Sequence, residues 1–171
     1  ERFGAAWLTA VDLDLRAFRL HAPALAQRGF DAGDAAVFEA NLETLGARGW
    51  LDGVLSERGP FDIIVDDASH DDAEIAAAFE TLFYDEAVGL APGGVYIVLD
   101  VQGAYREGGS RLAFFKGLAD DMQWAGMTVV SAEQLDAFVA HAGRREEAWV
   151  EAVEFHRGLV IVRKRPAHGW R

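Results

Sequence analysis

The sequence predicts an α/β fold that closes in an antiparallel hairpin, and three observations predict it. Two short apolar runs, residues 61–65 and 95–99, each end in acid, as strands of an open α/β sheet do when they carry side chains to a ligand at the rim. Stretches with helical apolar spacing alternate with such runs. At the C-terminal end WVEAVEFH (149–156) alternates apolar and polar residues. After a tight turn at Arg157-Gly158, GLVIVRK (158–164) returns alongside it, the pattern of two antiparallel strands.

In order along the chain, WLTAVDLD (7–14) begins as an apolar strand and becomes acidic at its end. LRAFRLHAPALAQRG (15–29) reads as a short or broken helix interrupted near Pro23, because proline lacks the backbone donor a helix interior needs. FDAGD (30–34) reads as a short strand ending in a turn, and residues 35–48 as a helix with Val37, Leu42 and Leu45 on one face and Gly49 beyond it as a stop. Gly59-Pro60 punctuates the entry to the strand at 61–65. Asp71 and Asp72 open the next helix, which runs towards Gly89 with Ile75, Phe79, Leu82 and Phe83 along one stripe. APGG (91–94) turns the chain into the strand at 95–99, and the glycine-rich loop VQGAYREGGS (101–110) is expected to be a mobile surface segment. Residues 112–124 form an amphipathic helix, 128–130 a short strand and 132–142 a further helix, before the closing hairpin.

Composition bounds the function. The 171 residues are expected as one domain, 1–171, long enough to bury a core. Apolar content of 51% with 26% charged residues is that of an ordinary soluble globular protein. A net charge of -12 speaks against a nucleic-acid surface, which needs a basic face. The absence of cysteine removes disulfides and thiolate chemistry and suits the cytoplasm. No apolar run reaches the roughly 18 residues of a membrane helix, so no membrane partner is expected. There is no internal repeat or low-complexity tract.

The most informative stretch is FDIIVDDASH (61–70). An apolar strand runs into Asp66 and Asp67, and His70 follows three residues after the second acid. GGVYIVLD (93–100) delivers another carboxylate, Asp100, at the end of another strand. Asp67, Asp100 and His70 together suit a hard-metal and general-base cluster. The alternative is that Asp66 and Asp67 cap the following helix, and that His70 is a helix-start residue bonded to a neighbouring carboxylate. Capping explains neither Asp100 nor His70. His21, His141, His156 and His168 read as structural or solvated, and Gln102 and Tyr105 either line a substrate pocket or belong to a surface loop.

VDDASH followed by an amphipathic helix, then APGGVYIVLDVQGAY, then WVEAVEFHRGLVIVRK, resembles the class I S-adenosylmethionine methyltransferases. Within them it is similar to the metal-dependent macrolide-sugar and rhamnosyl O-methyltransferases of antibiotic biosynthesis, and distantly to the cephalosporin-hydroxylase family. ERFGAAWLTAVDLD and GDAAVFEANL resemble the second strand of that family and the segment after its third, so the likeness covers most of the chain. It implies a Rossmann-like sheet, S-adenosylmethionine and Mg2+ as cofactors, and a small-molecule glycoside as substrate, with homo-oligomers possible. By the resemblance Asp12 accepts from the cofactor ribose hydroxyls, a diol that a carboxylate can bind bidentately. Asp34 lies beside the adenine and Asp66 near the methionine amino group. Turn or cap chemistry is the competing reading of Asp12 and Asp34. Asp67 and Asp100 ligate Mg2+, and His70 removes the proton from the reacting sugar hydroxyl.

The chain departs from the family twice. Leu99 stands where the family usually has a second acid. No glycine-rich loop of the kind that approaches the cofactor precedes Trp7, and in the usual strand order, 3-2-1-4-5-7-6, that loop follows the central first strand. The natural protein is therefore expected to be longer than this chain. The alternative function is a truncated or non-catalytic methyltransferase-like module for binding or assembly.

Overall fold

The structure, a computed structural model, describes residues 7–30, 35–39, 53, 56–69, 71–85, 87–102, 110–123 and 149–167. The chain divides into two compact units, Glu1–Leu51 and Asp52–Arg171, and each has its own sheet.

The first unit is a single βαβ crossover. β1 (Leu8–Asp12) and β2 (Ala35–Glu39) pair in parallel, from Leu8 opposite Ala35 to Asp12 opposite Glu39. Parallel strands need a long connection, and α1 (Arg16–Gln27) provides it. Two expectations are corrected here. α1 runs through Pro23 without a break. None of its residues is buried, so the carbonyl that loses its partner to the proline ring remains open to water. The helix stops instead at Gly29, whose φ of 91° is the left-handed conformation glycine adopts without cost, with the Phe30 N–H bonded back to the Leu25 carbonyl at 3.1 Å. The second correction is at residues 35–39, where AAVFE forms strand rather than helix. Short apolar runs do not distinguish the two by periodicity, and here pairing to β1 decides.

The second unit is a mixed sheet in the order β3-β4-β6-β5, built from β3 (Phe61–Asp66), β4 (Leu90–Leu99), β5 (Val150–His156) and β6 (Leu159–Lys164). β3 and β4 are parallel, and α2 (Asp72–Tyr84) crosses between them. β5 and β6 form the expected antiparallel hairpin, docked through β6 on β4. α3 (Ser110–Gln123) lies in the chain between β4 and β5. α2 ends at Tyr84, earlier than expected, and β4 begins at Leu90 rather than after APGG. The register shift between Phe61 and Ile63 absorbs those residues as a bulge, with Gly93 at φ 81°. The expected strand at 128–130 and helix at 132–142 lie outside the described residues.

Alternation along the strands sends one face of this sheet into an aromatic core. Ile75, Phe79 and Phe83 of α2, and Leu112, Phe115 and Leu118 of α3, are buried with Tyr96, Val98, Val160 and Val162. Phe79 is the hub, stacked on Phe83 at 4.5 Å and edge-on to Tyr96 at 5.1 Å and Phe115 at 5.7 Å. Burying a side chain of this size contributes about 1.5–3 kcal/mol, so the core holds the strands that carry the acids. Lys164 is also buried, and its ammonium donates to the Phe83 and Leu90 carbonyls at 2.6 and 2.7 Å and lies 4.5 Å from the Trp149 ring centre. It ties the end of α2 to the start of β4. Among the described residues no helix is long and apolar enough to cross a membrane.

Candidate functional site at the ends of two parallel strands

β3 and β4 run side by side and in the same direction, with Asp66 opposite Val98. Their C-terminal ends therefore carry Asp67, one residue beyond that pair, and Asp100, two residues beyond it, to the same rim of the sheet. Open α/β sheets bind ligands at this rim. The helix cap is a different residue. Asp71 accepts the N–H groups of Ala73 and Glu74 at 2.9 and 3.1 Å, while the Asp71 N–H is bonded to the Ser69 hydroxyl and that hydroxyl donates to Glu74. Asp66 and Asp67 are thus released from capping.

The two adjacent acids do different things. Asp67 is exposed, and Asp66 is 8% exposed. One carboxylate oxygen of Asp66 accepts the Ala68 N–H at 3.2 Å, and the other accepts the Tyr96 hydroxyl at 2.8 Å. Burial pushes the Tyr96 phenol well above its ordinary range, and the Asp66 carboxylate beside it adds to the effect, so the hydroxyl remains a donor. Sequence reasoning missed Tyr96, because its partner is 30 residues away and no local pattern connects them.

Asp100 is the one described non-glycine residue with positive φ, 53°. A side chain held in that region at a strand end is a common mark of a functional site. The Gln102 amide donates to its carboxylate. Gln102 in turn abuts the hairpin turn, where a Cβ on Gly158 would come 2.9 Å from the Gln102 side-chain Oε1, and the Val101 N–H bonds the Gly158 carbonyl at 3.3 Å. Leu99 pairs with Leu159 inside the sheet.

Two carboxylates on neighbouring strand ends fit a hard divalent cation in kind, since Mg2+ takes one or two of them and fills its other positions with water or substrate oxygens. Among the described residues no three His, Cys, Asp or Glu side chains gather as a larger ligand set. His70 and Tyr105 lie outside the described residues.

In the first unit Asp12 is exposed at the C-terminal end of β1, and its carboxylate accepts the Asp14 N–H at 3.0 Å, which is the turn chemistry foreseen for it. Asp14 forms a two-pronged contact with Arg16, which lowers the Asp14 pKa. Asp34, expected at the end of a strand over 30–34, lies with most of that segment outside the described residues. The acid level with Asp12 is Glu39, at the C-terminal end of β2 and 2.9 Å from Arg19. Reading 35–39 as helix hid it. His156 contacts Glu154 at 3.3 Å, a surface pairing that suits its structural reading.

No family model matches the chain. Curated sugar O-methyltransferases do. The chain is 33% identical over 123 residues to the 8-demethyl-8-alpha-L-rhamnosyl tetracenomycin-C 2'-O-methyltransferase of Streptomyces olivaceus, a match covering 65% of this chain and 29% of that protein. It is 33% identical over 92 residues to the mycinamicin VI 2''-O-methyltransferase of Micromonospora griseorubida, covering 54% of this chain and 21% of the relative. The matched segments thus span less than a third of these relatives. Among solved structures, the MycE methyltransferase of the mycinamycin biosynthetic pathway, in complex with Mg and SAH, superposes with a TM-score of 0.66 at 19% identity, covering 95% of this chain and 38% of that one.

Proposed function

We propose that this chain, whose fold is that of the class I methyltransferases, carries the acid-bearing part of an S-adenosylmethionine- and Mg2+-dependent O-methyltransferase that acts on a sugar hydroxyl of a glycosylated natural product. The observation that carries the reading is the convergence of Asp67 and Asp100 on one rim from two parallel strands, with Asp100 held in the left-handed region. The likeness to enzymes that methylate rhamnosyl and macrolide sugars supports the substrate class.

In this reading Asp67 and Asp100 hold the metal, and Asp12 accepts from the cofactor ribose hydroxyls. Asp34 lies beside the adenine, and Glu39, the acid level with Asp12, is a second candidate for that place. Asp66 still has acceptor capacity for the methionine amino group, because a carboxylate offers about four lone-pair positions and two are used here. When bound, Mg2+ supplies the positive charge that acidifies a coordinated sugar hydroxyl, and S-adenosylmethionine supplies the methyl group. An imidazole nitrogen of His70 accepts the hydroxyl proton, the general-base task for which histidine is most often used. The remaining contribution of the chain is orientation, holding acceptor oxygen and methyl carbon in line.

Calorimetric titration of S-adenosylmethionine, with and without Mg2+, tests the reading directly. Micromolar binding is the expected outcome, and a folded sample that binds nothing would sink it. With an acceptor glycoside in hand, His70→Ala is expected to lower turnover by about 10²–10⁴-fold with cofactor affinity within about twofold of wild type. Wild-type turnover in that variant would remove His70 from the mechanism.

A further inference from the structure

We infer that Tyr96 is a positioning residue for Asp67 and acts on it through Asp66. The inference rests on the metal-site reading above and extends it to two side chains that need not touch the ion. Asp66 and Asp67 are neighbours with opposite environments, one buried and one exposed. The Asp66 carboxylate accepts the Ala68 N–H and so closes a turn around the backbone of Asp67. Were Asp66 free to rotate, this closure would be one option among several. It is not free, because its second oxygen accepts the Tyr96 hydroxyl at 2.8 Å. Tyr96 is fully buried and edge-on to Phe79 at 5.1 Å, so its ring is fixed by the core. A buried carboxylate needs hydrogen-bond donors, and here both of its oxygens have one.

The pair also spans two strands. Tyr96 belongs to β4, four residues before Asp100, and Asp66 belongs to β3, one residue before Asp67. The Tyr96–Asp66 bond is therefore a side-chain crossbar between the two strands that deliver the two acids. It adds to the backbone pairing of Asp66 with Val98 by holding the turn beyond the end of the ladder. Partners of metal ligands typically change metal affinity by about 10–100-fold when removed, and this crossbar belongs at the low end because it works through a turn.

The test is Mn2+ binding to the full chain without cofactor, followed by loss of the free-ion electron paramagnetic resonance signal, with thermal melts as a check on folding. Tyr96→Phe and Asp66→Ala are each expected to raise the Mn2+ dissociation constant about tenfold. Asp66→Asn is expected to stay within about twofold of wild type, because its carbonyl still accepts the Ala68 N–H and its amide can donate to the Tyr96 oxygen. Its affinity for S-adenosylmethionine, measured separately, is expected to fall, since the charge facing the amino group is lost. If Tyr96→Phe binds Mn2+ as wild type does, or Asp66→Asn is as weak as Asp66→Ala, the positioning role is overturned. Variants that melt lower yet bind Mn2+ normally would make the pair purely structural and overturn it too. If wild type binds Mn2+ no better than an Asp67→Asn, Asp100→Asn double variant, the metal reading itself fails, and this inference with it.

Discussion

Asp100 carries a cost that an ordinary strand-end residue avoids. A non-glycine residue in the left-handed region is disfavoured by about 1–2 kcal/mol, and Asn and Asp bear this best because their short side chains bond locally. The Gln102 amide on the Asp100 carboxylate is such a bond. Asp100→Ala is therefore expected to destabilise the chain by about 1 kcal/mol more than Asp100→Asn, although both remove the charge. Urea denaturation of the two variants measures it, and equal midpoints would show that the backbone at 100 is not under this constraint. The acid itself was legible in the sequence, since an apolar run ending in Asp is a local pattern. Its conformation was not, because nothing in GGVYIVLD sets the sign of a dihedral angle. Tyr96 was illegible for a related reason. It looks like one more core aromatic until the fold brings Asp66 to its hydroxyl.

At the scale of elements, the helices and strands with flanking punctuation were legible, and those identified by a bare apolar run were not. α2 has Asp71 as its cap, Asp72 and Glu74 in its first turn, and Ile75, Phe79 and Phe83 in register, so every local cue agrees. Asp71→Ala is expected to cost about 1 kcal/mol, measured by chemical denaturation, with Asp71→Ser recovering most of it. A neutral Asp71→Ala would mean that Ser69 and Glu74 hold the helix start alone. β2 is the opposite case. AAVFE follows Gly33-Asp34, which suits the start of a helix as well as of a strand, and only its parallel partner settles it. The misreading also hid Glu39, the acid at the C-terminal end of β2, level with Asp12. Pro23 misled in the other direction, since an exposed helix tolerates a lost backbone bond that a buried one would not.

At the scale of the molecule, the sheet order is where sequence and structure meet most closely. Taken by itself, the second unit has the order β3-β4-β6-β5, that of places 4-5-7-6 in the expected order, and in the first unit β2 and β1 pair as places 3 and 2 do. The C-terminal run was legible because its hairpin is local and the apolar run at 95–99 in β4 is bounded by APGG and Asp100. Charge is the other property of the whole chain. With 28 acidic and 16 basic residues, self-repulsion opposes the compact state, so any salt should raise the melting temperature by screening. A specifically bound ion must do more than this. At a Mg2+ concentration tenfold above its dissociation constant, binding stabilises by about 1.4 kcal/mol. For a chain of this size that is a rise of about 3–6 °C. The expected outcome is that Mg2+ raises the melting temperature by that much over NaCl of equal ionic strength. In the Asp67→Asn, Asp100→Asn double variant the difference between the two salts should disappear. An equal Mg2+ effect in wild type and double variant would place the ion elsewhere on this acidic surface and separate the strand-end carboxylates from metal binding.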